Sequence, residues 1–228
     1  MHQSTGRHFR ALFRLQRRDD FIVEFVKGKV VLDCGCVDHW AYLKKLESGC
    51  WLHTHLRRHA KSVVGVDILV DAMRQLKGQL DLTLVAADAE ALPFGQHFDV
   101  VVAGELLEHL HNAGAFLEQA WGVLRPNGLL LVSTPNNFSL SKLTHAVFRG
   151  IEVCHPEHTC YYSVQTLSYL LHEHGFRVSQ IHLLPRPARS RILELLYGLV
   201  AKFRPILAEV IVVAAEKGHF VPKYLSKW

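Results

Sequence analysis

The chain has 228 residues, 49% hydrophobic and 21% charged, with a formal net charge of +5. That length suits one domain with a full core, and the apolar share excludes a disordered or fibrous chain. The modest basic excess permits an anionic partner without requiring one, and no uninterrupted apolar run reaches the ~18 residues of a membrane span.

Residues 1–20 carry Arg7, Arg10, Arg14, Arg17 and Arg18, with Phe9, Leu12 and Phe13 at helical spacing. They read as a basic amphipathic helix within an N-terminal segment, residues 1–27. The segment lacks the apolar core of a secretory leader, so a cytoplasmic protein is expected. The five cysteines form no zinc-knuckle spacing and are expected as reduced thiols. Sixteen histidines, several in close sets, raise the question of a metal.

Residues 28–228 read as the main domain. Lys29 to Asp33 is a buried strand closed by Cys34 and Gly35. Residues 39–60 are helical. Ser62 to Asp67 is a second strand ending in an acid, and Ala72 to Lys77 fits a helix. Leu82 to Ala86 is a third strand, followed by Asp88. Phe98 to Ala103 is a fourth, Ala113 to Leu124 a helix, Arg125 to Gly128 a turn and Leu129 to Ser133 a fifth strand. In the tail, Val164 to His174 is a helix and Phe176 to Leu184 a strand. A proline-bearing loop at 185–187 leads to an apolar helix, Arg191 to Phe203, and a last strand, Leu207 to Ala215. Strands alternating with helices specify an α/β fold with a mainly parallel sheet.

Glu105, Glu108 and His109 follow the fourth strand at i, i+3 and i+4. If a helix starts there, all three share one face. Open α/β sheets bind ligands beyond the carboxyl ends of their strands, so these groups are site candidates. An acidic first helical turn favoured by the helix dipole is the alternative. Asp67 stands where a carboxylate can accept from two ribose hydroxyls. Neither a G-x-G-x-x-G fingerprint nor a Walker A loop follows the first strand, which argues against nicotinamide and P-loop enzymes.

Five elements together resemble the class I S-adenosylmethionine-dependent methyltransferases: Val31 to Cys36, Val64 to Asp67, Ala87 to Ala89, Phe98 to Val101 with Glu105 to His109, and Leu124 to Leu129. The resemblance implies a Rossmann-like, mainly parallel seven-stranded sheet with helices on both faces and an antiparallel last strand. It implies S-adenosyl-L-methionine as cofactor. Asp33, Cys34, Gly35 and Cys36 would form the loop under its methionine part, and Asp67 would hold the ribose. Ile68 would pack on adenine, Asp88 and Ala89 would bind the adenine edge, and Gly104 would line the site. Val37 and His39 stand where the family usually has further glycines, which raises a non-catalytic, methyltransferase-like binding protein as an alternative.

The string Glu105 to His109 resembles segments of ubiquinone-biosynthesis O-methyltransferases and of enzymes that methylate the terminal 2′-hydroxyl of small RNAs. In both groups it is associated with a divalent metal. The implied catalytic residues are Glu105, Glu108 and His109. The implied ligands to Mg²⁺ or Mn²⁺ are Glu105, Glu108, His109 and His158. Without a metal, the resemblance implies that His109 acts as a base or shapes the pocket. The exocyclic-amine motif Asp/Asn-Pro-Pro-Tyr is absent, so oxygen is the expected acceptor atom. Basic and aromatic residues are not interleaved, which disfavours nucleic acid. A small or lipid-like acceptor is expected, and peripheral membrane contact is left open.

Overall fold

The computed structural model describes residues 12–13, 16–38, 41–185 and 191–218. Its strands are β1 (Leu12–Phe13), β2 (Val30–Cys34), β3 (Ser62–Asp67), β4 (Leu84–Ala86), β5 (Phe98–Gly104), β6 (Leu124–Pro135), β7 (Phe176–Leu184) and β8 (Val210–Lys217). They form one sheet in the order β1-β7-β8-β6-β5-β2-β3-β4. β8 runs antiparallel to β6 and β7, and the other pairs are parallel. Seven strands make the expected sheet. The eighth, β1, adds two residues at its edge.

The helices are α1 (Arg18–Val26), α2 (Tyr42–Glu47), α3 (Leu52–His59), α4 (Val70–Gln79), α5 (Ala113–Val123), α6 (Leu140–Arg149), α7 (Val164–Glu173) and α8 (Arg191–Phe203). Strand periodicity sorts them onto two faces. Val31, Val100, Val102, Leu131 and Val212 pack with Phe21, Ile22 and Val26 of α1 and Leu56 of α3. Their neighbours Leu32, Val101, Leu130 and Val213 pack with Phe116 of α5, Leu167 of α7 and Ala201 of α8. A smaller cluster joins Val37, Trp51, Met73, Leu76 and Leu84 beside the β4 edge.

Several expectations are corrected. The basic segment is not one helix: Leu12 and Phe13 pair with His182 and Leu183 of β7, and among the described residues the first helix is Arg18–Val26. Residues 1–11 lie outside the described residues. The helix expected over 39–60 is two, broken around Gly49, whose φ is +66°. The turn at Arg125 to Gly128 sits inside β6 as a bulge: Phe98 pairs with Leu124, yet Val100 pairs with Leu129. Asn127 makes that detour at φ +62°. Helix α6 was not expected, and its apolar residues bury nothing.

Candidate active site

The carboxyl ends of β2, β3, β4 and β5 bring the predicted residues to one edge of the sheet. At the end of β2, Gly35 turns the chain at φ +68°, and a Cβ there would come 2.9 Å from Leu106 Cδ1. The left-handed backbone favours glycine, and the Leu106 side chain would have to shift to admit a Cβ. The N–H groups of Gly35 and Cys36 both donate to Val66 O, at 2.9 and 3.2 Å, tying this loop to β3. Asp33 is buried and one of its oxygens lies 2.9 Å from Nδ1 of the fully buried His53. The side chains of Cys34 and Cys36 are buried. Burial, then Asp33 and Asp67, pushes both thiols up, so they stay protonated.

At the end of β3, Asp67 accepts the N–H of Val37 on Oδ2 at 2.8 Å and that of Leu69 on Oδ1 at 3.0 Å. Burial raises its pKa against the pull of these hydrogen bonds. A carboxylate offers about four acceptor positions, and the N–H groups of Val37, Leu69 and Ile68 take up to three, which leaves room for a hydroxyl donor. Ile68 beside it is 68% exposed, an apolar side chain free to meet a flat ring. After β4, Asp88 is exposed and caps the N–H of Glu90 through Oδ1 at 2.8 Å, while Ala89 is buried. A Cβ at Gly104 would stand 3.0 Å from Leu52 Cδ2.

Beyond β5, Glu105 adopts φ +56°, a left-handed conformation uncommon for a side-chain-bearing residue. Its N–H donates to Ser133 O at 2.9 Å and Ser133 Oγ at 3.2 Å. The helical turn covers only Leu107–His109. Glu105, Glu108 and His109 therefore do not share a helical face, because Glu105 lies outside the turn. Instead, Glu105 Oε1 stands 3.7 Å from Arg18 Nη1. Glu108 is buried, and its Oε2 accepts from Thr134 Oγ1 at 3.0 Å.

His109 faces a different group. The loop 154–162 is laced to the turn by Thr159, whose N–H donates to Glu108 O at 2.8 Å and whose hydroxyl reaches Leu110 O at 2.7 Å. This brings His158 and His155 to His109, with ring centroids 4.7 and 5.7 Å away. Ligand atoms of the three imidazoles all lie within 4.8 Å of one another. Burial, then His155, lowers the His109 pKa. Burial, then His109 and His155, brings His158 down to about 4.

Mg²⁺ and Mn²⁺ favour oxygen-rich ligand sets. The cluster assembled among the described residues is three nitrogen donors, and both glutamates lie outside it. The set Glu105, Glu108, His109 and His158 is thus not gathered as one hard-cation site. Sequence reasoning missed His155, although it stands three residues before His158. It also missed Arg18, which was read only as part of a basic helix packed on the domain, and His53, which looked like one of a surface set.

A protein-family model described as "Methyltransferase domain" matches residues 7–181. The chain belongs to this family and is a class I S-adenosylmethionine-dependent methyltransferase by descent. The ubiquinone biosynthesis O-methyltransferase of Bradyrhizobium sp. (strain ORS 278) is 34% identical over 102 residues, 41% of this chain and 40% of that protein. The match spans about two fifths of the length of such relatives. A SAM-dependent methyltransferase from Archaeoglobus fulgidus superposes with a TM-score of 0.58 at 22% identity, covering 88% of this chain and 91% of that one. The [4+2]-cyclase SpnF does so with 0.55 at 16%, covering 89% and 80%. These likenesses show the fold, and the second shows that the fold alone does not define the reaction.

Proposed function

We propose that the chain transfers a methyl group from S-adenosylmethionine to a hydroxyl oxygen of a small or lipid-like metabolite. One observation carries the reading: Asp67, with spare acceptor capacity, and His109, held neutral, stand at the ends of two strands separated only by β2. The name of the Bradyrhizobium relative supports oxygen as acceptor.

When bound, the cofactor supplies an electrophilic methyl on a sulfonium. The backbone of Asp33 to Cys36 would cradle its methionine part, and Asp67 would accept from the ribose hydroxyls. Ile68, Asp88 and Ala89 would bound the adenine, with Gly104 leaving room at the fourth wall. On the acceptor side, His109 would take the hydroxyl proton on a ring nitrogen. The oxygen lone pair would form the new C–O bond while the C–S pair returns to sulfur. A base with a lowered pKa is free of its own proton at neutral pH, as this step needs. Glu105 and Glu108 would set the charge around the acceptor, balanced by Arg18.

Calorimetry with S-adenosylmethionine tests the cofactor half: micromolar binding is expected, and no binding at millimolar ligand would leave the non-catalytic alternative. Transfer of a labelled methyl to hydroxylated aromatic acceptors, absent in His109→Ala, tests the chemistry.

A further inference from the structure

Two helices of this chain are built inside out. Helix α6 has no buried residue. Leu143, Val147 and Phe148 all face solvent, Phe148 at 82% exposure, and Phe138 and Ile151 flank them. Helix α8 turns its small residues inward: Gly198 and Ala201 are buried, whereas Leu195, Leu196, Leu199 and Phe203 are exposed, Leu195 at 73%. The spacing 195, 199, 203 is one stripe along a helix. Core packing explains large residues inside and small ones outside, the reverse of this arrangement.

The two stripes spring from neighbouring strand ends. Ser141 Oγ in α6 donates to Glu209 Oε2 at 2.7 Å, and Asn136 Nδ2 donates to Ile206 O and Ala208 O, both at 2.7 Å. Residues 138–151 and 195–206 contain no aspartate or glutamate, and their exposed charges are Arg149, Lys202 and Arg204; the Lys142 ammonium is buried, and the acids next to these segments are Glu152, Glu194 and Glu209. Exposed apolar area of this extent on a monomer marks an interaction surface. Apolar stripes whose exposed charges are mainly cationic suit an anionic bilayer. A second copy fits poorly, since a two-fold pairing would set this cationic edge against itself. None of the described helices is long and apolar enough to cross a membrane, so the contact is one of lying on the surface.

We infer that α6 and α8 dock this protein on the surface of an anionic lipid bilayer through Leu143, Val147, Phe148, Leu195, Leu199 and Phe203. The docked edge adjoins the candidate active site. Asn137 N, next to Asn136, donates to Tyr162 O at 3.0 Å, and Lys142 Nζ lies 4.8 Å from the Tyr161 ring, in the loop that carries His155 and His158. A lipid-like acceptor could then reach the site from the bilayer, which is where this inference meets the proposed function.

Flotation of the full chain with phosphatidylcholine vesicles, with and without roughly a third phosphatidylglycerol, tests it. Binding is expected only with the anionic vesicles and should fall as salt rises. Val147→Glu/Phe148→Glu and Leu199→Glu/Phe203→Glu should each lower it about tenfold or more. S-adenosylmethionine binding, read in the same samples by calorimetry, should be unchanged, which establishes folding and separates this inference from the methyl-transfer reading. No flotation, equal flotation with neutral vesicles, or unchanged flotation of both folded variants would overturn it. So would light scattering that shows a dimer which Phe148→Glu turns into a monomer.

Discussion

The backbone N–H of Val37 donates to Asp67 Oδ2 at 2.8 Å, joining the residue that replaces an expected glycine to the carboxylate proposed for the ribose. The Val37 side chain is buried with Trp51, Met73 and Leu76 and does not project from the loop. Trp51 reinforces the arrangement by donating Nε1–H to Cys36 O at 2.7 Å. The loop is therefore built around its valine.

Val37→Gly should loosen cofactor binding. The N–H to Asp67 survives, but the loop loses its apolar anchor and gains backbone freedom costing ~1 kcal/mol. The lost burial adds about 1.5–3 kcal/mol of destabilisation. A lower melting temperature and weaker S-adenosylmethionine binding are the expected results. Tighter binding by the variant would mean that Val37 crowds the cofactor.

Asp67→Ala should cost more than a ligand contact. It removes an acceptor for the proposed ribose and leaves the N–H groups of Val37 and Leu69 without theirs. Each hydrogen bond to a charged group is worth ~1.5–3 kcal/mol. Cofactor affinity should fall about ten- to a hundredfold, and the melting temperature should fall with it. Asp67→Asn keeps one oxygen acceptor, so it should recover more stability than affinity. Unchanged affinity in both variants would remove Asp67 from the cofactor site.

The fold was legible because its strands alternate regularly and end in punctuating residues. Phe176 to Leu184 and Arg191 to Phe203 were bounded correctly by flanking glycine, proline and a change of period. Glu105 misled because i, i+3, i+4 spacing specifies a common face only inside a helix, and no local signal announced φ +56°. Arg18, His53 and His155 were illegible for a different reason. Their partners Glu105, Asp33 and His109 lie 87, 20 and 46 positions away along the chain, so only the assembled sheet brings them together.

Stability should fall with acidity below neutral pH, and His158 should account for part of the slope. Burial, then the nearby His109 and His155, holds it at about 4 against the ordinary 6.5. Above pH 6.5 the ring is neutral whether the chain is folded or not, so it adds no pH dependence. Between 6.5 and about 4 the unfolded chain takes up a proton that the folded chain refuses, which lowers stability as pH falls. Below about 4 both forms are protonated and the slope ends. His109, also lowered, acts in the same direction. Chemical denaturation of wild type and His158→Gln at pH 7 and pH 5 checks this. The variant should lose less stability across the interval, and equal losses would rule out His158.

The last prediction separates a base from a metal at the histidine cluster. His109 lies within ring-contact distance of His158 and His155, and their ring nitrogens could also converge on a cation. If His109 works as the base, chelator-treated protein keeps its methyl-transfer rate. His109→Ala then loses ~10²–10⁴-fold in rate, while His155→Ala, which removes a neighbour and leaves the base in place, loses under about tenfold. Cofactor affinity should hold in both variants, because the side chains proposed to bind the cofactor stand at or beyond the ends of β3 and β4 and only Gly104 of β5 borders it, whereas His109 lies five residues beyond Gly104. We expect this pattern, since the glutamates that would complete an oxygen-rich metal site are turned to Arg18 and Thr134. A different pattern would reassign the cluster: activity lost to chelator and restored by a divalent ion, with His109→Ala, His155→Ala and His158→Ala each abolishing one zinc- or manganese-binding site in calorimetry. In that case Glu105→Gln should leave metal binding intact, because Glu105 is not among the gathered donors.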